Sequence, residues 1–284
     1  MRKHLLAAAL LAALAGCQPS ADAPSTPPSA AASGSAATAP DAAADAAFAA
    51  LSKRAVDTWM QLSPVGATQT GDHRYDSELD DLSAAGRQKS LDASKQLLAE
   101  LDKLDAAKLS RENQVDAAIL RNQLQSDIWN SEVAQSWAWD PQLYNGLAGG
   151  AIYGLMAREF APLPERLKAA TARMEKIPAL FAQARANLDP ARVPQIHAKT
   201  VAKQNQGILS IVDTFIAPHV KELPAADAQR LQAAIDGLKK AVAEQQTWLD
   251  KTLVPNAKGD FRIGAEQYDQ KLKFALNSSL SRAE

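Results

Sequence analysis

From residue 45 onward, apolar residues recur at steps of three and four, the spacing that lines one face of a helix. Phe48, Leu51, Ala55, Trp59 and Leu62 mark a first helix, which Ser63-Pro64 ends. A polar loop is expected over residues 66–81, containing Gly71-Asp72-His73-Arg74-Tyr75-Asp76. Leu91, Leu97, Leu98 and Leu101 mark a second helix over 83–104. Ser110 stands where a cap belongs. The third helix behind it carries Val115, Ile119, Leu120, Leu124 and Trp129 towards Trp137. Asp140-Pro141 interrupts the pattern. Residues 141–157 mix Gly146, Gly149, Gly150 and Gly154 with apolar residues, which fits either a helix pair or a loop. Leu167, Met174, Ile177 and Phe181 predict a helix over 163–188, with Pro178 as a candidate kink. Further helices are predicted over 193–215 and, from a first-turn proline at Pro224, over 224–253. Tyr268, Leu272, Phe274, Leu276 and Leu280 mark a last segment running from Gly264 to the end. Its closing residues, from Asn277 to Glu284, hold no glycine cap or proline stop and read as a helix cut in mid-course.

No stretch alternates long enough to suggest a sheet, and no fixed period suggests a solenoid. The predicted fold is all-α: a bundle of long antiparallel helices behind a disordered N-terminal tether. Composition agrees. Of 284 residues, 46% are hydrophobic but only 5% aromatic, which favours helix over strand. A formal charge of -1 argues against a nucleic-acid partner. The single cysteine excludes a disulfide framework.

The first 16 residues read as an address rather than as part of the fold. Arg2 and Lys3 precede an apolar run over residues 5–15, too short to cross a hydrocarbon layer of about 30 Å as a helix. Leu14-Ala15-Gly16-Cys17 resembles the lipobox of bacterial lipoproteins. In that motif the cysteine becomes the lipidated first residue of the mature chain. The expected partner is therefore a lipid bilayer, entered through acyl chains such as palmitate on Cys17. Gln18, in place of the aspartate that commonly retains such proteins at the inner membrane, points to the periplasmic face of the outer membrane. Residues 17–44 are almost wholly Ala, Ser, Pro, Thr and Asp, with prolines at 19, 24, 27, 28 and 40, and read as the tether. The helical domain is expected over 45–284.

Chemistry is harder to find. His4 leaves with the leader, and His73, His197 and His219 are isolated in sequence. No H-E-x-x-H, P-loop or G-x-S-x-G sequence is present. Asp72, Asp76, Glu78, Asp80 and Asp81 surround His73 but do not follow the EF-hand spacing; a solvated loop is the plainer reading. Trp129, Trp137 and Trp139 lie close together; Trp129 and Trp137 suit the flanks of a sugar or peptide groove, or simply the core. Arg158, Arg166 and Arg173 suit bidentate carboxylate binding, or pairing between helices. No catalytic residue, metal ligand or cofactor site is assigned to this chain.

Several segments, taken in order, resemble a large bacterial family catalogued as domain of unknown function 885. They are Ser63-Pro64, Ala67-Thr68, the run Gly71-Asp72-His73-Arg74-Tyr75-Asp76, Trp139-Asp140-Pro141 and Tyr144. They continue with Arg158-Glu159-Phe160-Ala161-Pro162-Leu163, Arg166-Leu167, Arg173-Met174 and Ile177-Pro178. Phe261-Arg262-Ile263-Gly264-Ala265-Glu266, Tyr268-Asp269 and Lys271-Leu272 close the series. Asp72, Arg74, Tyr75, Arg158, Phe160, Arg166, Arg262 and Gly264 are the motif residues singled out, without an assigned role. The resemblance implies a secreted or lipidated protein about twice this body's length. It also implies a C-terminal half with a histidine-glutamate signature like that of zinc metallopeptidases. No position of this chain matches that signature. The expectation is therefore the N-terminal half of a zinc-peptidase-like lipoprotein, truncated and not catalytic alone. Its partner would be the missing catalytic half, and its peptide substrate is unknown. The alternative is a complete, non-enzymatic binding or scaffold lipoprotein of the periplasm.

Overall fold

The computed structural model describes residues 41–277 and 280–282. The leader, Cys17 and all of the tether as far as residue 40 lie outside the described residues. The described chain is helical throughout, and its one isolated bridge joins Pro194 to Gly259. The helices are α1 (Ala42–Leu62), α2 (Pro64–Thr70), α3 (Ala84–Leu101), α4 (Arg111–Trp129), α5 (Ser136–Trp139) and α6 (Pro141–Met156). There follow α7 (Leu163–Asn187), α8 (Gln195–Gln204), α9 (Gly207–Phe215), α10 (Ala225–Trp248), α11 (Val254–Asn256) and α12 (Ala265–Leu276).

Local chemistry sets most of the boundaries. Asp41 accepts from Ala43 N at 2.9 Å, so α1 starts before the expected Asp45. Ser83 and Ser110 cap α3 and α4 by accepting from Gly86 N and Asn113 N. Asp140 caps α6 with Pro141 at its first position, so residues 141–157 form one helix despite four glycines. Pro178 stands inside α7 without ending it.

Four expectations need correction. Pro64 does not merely end α1; it opens α2, so the loop expected from residue 66 begins only at Gly71. The helix expected over 193–215 is two helices, α8 and α9. At their junction Asn205 is fully buried and donates to Val242 O and Gln246 Oε1, both at 3.0 Å. Val115 and Ile119 are exposed, and α4 buries Ala117, Leu120 and Leu124 instead. Finally, α12 does not run on into the closing residues: it ends at Leu276, where Asn277 takes the left-handed conformation at φ 45°. Asn serves at that position because it tolerates αL better than other side chains.

Two apolar cores result. The larger is organised around α7, which packs against α6 and α10; Leu167, Met174, Ile177, Leu180 and Phe181 lie at its centre. The smaller joins α1, α3 and α4 through Phe48, Leu51, Leu97, Leu101 and Leu124. Replacing a fully buried leucine with alanine costs about 2–5 kcal/mol. Leu124→Ala is therefore expected to lower unfolding stability by about that amount. Ile119→Ala, on the exposed face of the same helix, should stay within about 0.5 kcal/mol. Urea unfolding of the two variants checks the assignment of faces.

Candidate functional site

Asp72, Arg74 and Tyr75 lie in the segment between α2 and α3, Phe160 packs on its His73 ring, and Arg158 reaches the end of α2 beside it. Gly71 turns the chain out of α2 at φ 94°, a conformation that disfavours side chains with a Cβ. Asp72 then caps a 3₁₀ turn (His73–Tyr75) by accepting from Arg74 N at 3.1 Å. Its carboxylate also receives Arg74 Nε at 2.9 Å and Nη2 at 2.6 Å. Arg74 reaches on to Asp57 of α1 at 2.9 Å. The hydrogen bonds from the Arg74 side chain, more than any other influence, lower the Asp72 pKa to about 2. Arg74 is raised in return.

Below this turn lies Arg173 of α7, with no exposed surface. Its guanidinium acts as a backbone clamp. Nε donates to Glu78 O at 2.9 Å, and Nη1 to Ala151 O of α6 at 3.0 Å. Nη2 donates to Pro64 O at 2.9 Å and Thr68 Oγ1 at 2.7 Å, both on α2. One side chain thus ties together α2, the loop, α6 and α7. Burial lowers its pKa, while Asp76, Asp80 and Glu78 act in the opposite direction. Guanidinium nevertheless remains charged, because its intrinsic pKa is so high.

The carboxylates around Arg173 have structural partners. Thr68 Oγ1 has one proton to give, and Asp76 Oδ1 at 2.6 Å is a better acceptor than Pro64 O at 3.2 Å. The other Asp76 oxygen lies 3.0 Å from His73 Nδ1. The His73 ring stacks on Phe160, with centroids 3.6 Å apart and planes 9° from parallel. Asp80 accepts from Ser63 Oγ at 2.9 Å and Val65 N at 3.0 Å, which caps α2 from outside the helix. Burial pushes the Asp80 carboxyl up despite those bonds. The acidic run is therefore not simply a solvated loop.

Arg158 and Arg166 also bind backbone. Arg158 donates to Gln69 O at 3.3 Å, near the end of α2. Arg166 donates to Ala161 O at 2.9 Å and to Leu155 O and Met156 O, the last carbonyls of α6. Cations suit helix C-termini, where unpaired carbonyls gather. The hydrogen bonds of the three arginines go to main-chain carbonyls and, for Arg173, also to the Thr68 hydroxyl. Tyr75 takes part through its carbonyl, 3.5 Å from Arg173 Nη2. Arg262 and Gly264 are placed elsewhere: Arg262 pairs with Asp260 at 3.6 Å, and Gly264, at φ 82°, precedes α12.

A second lock, which the sequence reading missed, lies further along α7. Gln183 Oε1 accepts from Leu82 N, and Asn187 donates to Leu82 O and the Tyr144 hydroxyl. Arg87 donates to Asn187 Oδ1 and Leu82 O, with its guanidinium 3.8 Å from the Trp137 ring centroid. The three tryptophans do not share a groove wall. Trp129 is buried, bonded to Gln270 and tilted against Phe274; Trp137 lies under Arg87; Trp139 donates to Ala134 O at 2.7 Å.

The arrangement positions backbone rather than reacting atoms. His73, His197 and His219 each stand beside a different carboxylate: Asp76, Asp140 and Glu222. No group of three metal-binding side chains occurs among the described residues, so the donor set here does not fit a zinc centre. A separate cleft of about 480 Å³ opens between α1, α3 and α4.

This architecture belongs to a known class of bacterial proteins. Residues 64–284 match the family described as "Bacterial protein of unknown function (DUF885)", and the chain belongs to that family. It is also similar to a solved structure described as "a putative lipoprotein of unknown function" from Shewanella oneidensis. The two share 33% identity at a TM-score of 0.77, over 82% of this chain and 43% of that one. The chain thus spans less than half the length of that relative. No curated protein matches it.

Two outcomes test the clamp. Arg173→Met strands several buried acceptors and should destabilise the fold by about 3–5 kcal/mol in urea unfolding. The second test concerns acid. Asp72 titrates lower in the folded chain, about 2, than its ordinary 3.8. Its contribution is therefore complete above 3.8 and lost as pH falls towards 2. Asp72→Asn should flatten that part of the stability profile, measured by denaturant unfolding at stepped pH. An unchanged profile would mean that the Arg74 pair does not form in solution.

Proposed function

We propose that this chain is the N-terminal helical part of a longer lipid-anchored envelope protein, and that it serves as scaffold rather than catalyst. Cys17 carries the anchor, residues 17–44 the tether, and the helical body faces the periplasm, at the outer membrane. A metallopeptidase-like part would pack against this body and hold the zinc and the peptide substrate.

The observation that carries this reading is how the signature residues are used. Arg158, Arg166 and Arg173 all donate to backbone carbonyls, and Asp72, Asp76 and Asp80 hold turns and helix starts. Groups bound in this way build a rigid support and leave no base or nucleophile poised for chemistry. The description of the Shewanella oneidensis relative supports the lipoprotein assignment, and its greater length leaves room for a catalytic part. Exposed Val115 and Ile119 on α4, with Tyr268 and Leu276 on α12, offer apolar surface for such packing. The second reading, a binding lipoprotein without a catalytic part, is favoured by the cleft between α1, α3 and α4.

Fractionation of cells expressing Cys17→Ala tests both parts of the proposal. The variant should leave the membrane fraction, and after purification and dialysis it should retain no stoichiometric zinc. Unchanged membrane association would overturn the anchor. One zinc per chain would overturn the non-catalytic assignment.

A further inference from the structure

The cleft between α1, α3 and α4 takes no part in the clamp. It is walled by apolar side chains, among them Trp59, Leu62, Leu91 and Leu97, and has the volume of a small-molecule pocket, about 480 Å³. Two polar groups meet in it, the Asp127 carboxylate and the Trp59 indole N–H, with no cation beside them. Asp127 of α4 lines the cleft and is partly removed from solvent. Burial raises its pKa, opposed only by hydrogen bonding from Gln123 and the nearby Trp59. Gln123 Nε2 lies 2.8 Å from its Oδ1. No basic side chain acts on it among the described residues. Trp59 Nε1 is buried without a hydrogen-bond partner of normal geometry. It lies close enough to Asp127 to lower the carboxyl's pKa by hydrogen bonding, and like Gln123 it brings no charge.

An uncompensated carboxylate in a partly dry apolar cleft is costly, and a cation beside it removes most of that cost. An apolar body would bury surface against the leucines, and the indole ring is a favourable wall for an organic cation. We propose that this cleft binds a small amphiphile with a protonated amine, the ammonium on Asp127 and the hydrocarbon between α1 and α3. This goes beyond the scaffold reading and holds whether or not a catalytic part follows.

The test compares two probes with the same hydrocarbon, 2-phenylethylamine and 2-phenylethanol, by calorimetry on the mature-length protein at neutral pH. The amine should bind at least about tenfold more tightly than the alcohol. Asp127→Asn keeps the shape of the side chain and its bond from Gln123, and should abolish that difference. Ser90→Leu, which adds bulk at the cleft wall without touching Asp127, should weaken both probes. It provides a second handle if the asparagine variant fails to fold. Equal affinity for the two probes, absence of binding at millimolar concentration, or full amine affinity in Asp127→Asn would each overturn the proposal.

Discussion

The rest of the fold depends on where the charge of Arg173 is satisfied. A guanidinium has five donors in a rigid plane, and burying it unpaired costs several kcal/mol. In this chain it is wholly buried, and its donors reach carbonyls on α2, α6 and the intervening loop as well as the Thr68 hydroxyl. Those acceptors come from parts of the chain more than twenty residues away in sequence, most of them nearly a hundred. The side chain can stay buried with its donors satisfied only if α2, α6 and the loop are in place. This turns a run that would otherwise be solvated into a fixed part of the body.

The loop between α2 and α3 is then held twice by one helix. Along α7, Arg173, Lys176, Gln183 and Asn187 follow helical spacing, and each meets the segment from Ser77 to Leu82 or its start. Lys176 donates to Ser77 O at 2.8 Å, which fills the gap between clamp and lock. The opposite side of α7 fills the larger core with Leu167, Met174, Ile177 and Phe181. One helix therefore serves as both hydrophobic spine and polar ruler.

Apart from this spine, the second core offers a different environment. There α1, α3 and α4 pack through Phe48, Leu51, Leu97 and Leu124, and their far ends diverge to leave the cleft. Carboxylates near Arg173 lie beside a cation, whereas Asp127 in the cleft has only neutral partners, Gln123 and the Trp59 indole. In this chain an acidic group in an apolar cleft without a cation is a better guide to a ligand than resemblance to a motif.

Much of this was legible from residue spacing and end signals. The all-α class, the helices around Leu97 and Leu167, the helix opened by Pro224 and the cap Ser110 follow from three- and four-residue periodicity and local end signals. Those signals act over a few residues, so they can be read from a line of text. Other features could not. Pro64 ends one helix and starts another, a choice made when Asp80 caps α2 at Val65, fifteen residues before it. Residues 193–215 look continuous until Asn205 finds its acceptors on α10. Val115 and Ile119 fit a helical stripe, but α3 covers the neighbouring face. The three arginines of the signature were recognisable by type and order, while their acceptors, main-chain carbonyls, carry no side-chain signature at all. Sequence determined which segments are helices and which residue types are conspicuous. Only the tertiary structure decided which polar groups are consumed and which remain free, because a hydrogen-bond acceptor on a distant helix leaves no mark in the residues around its donor.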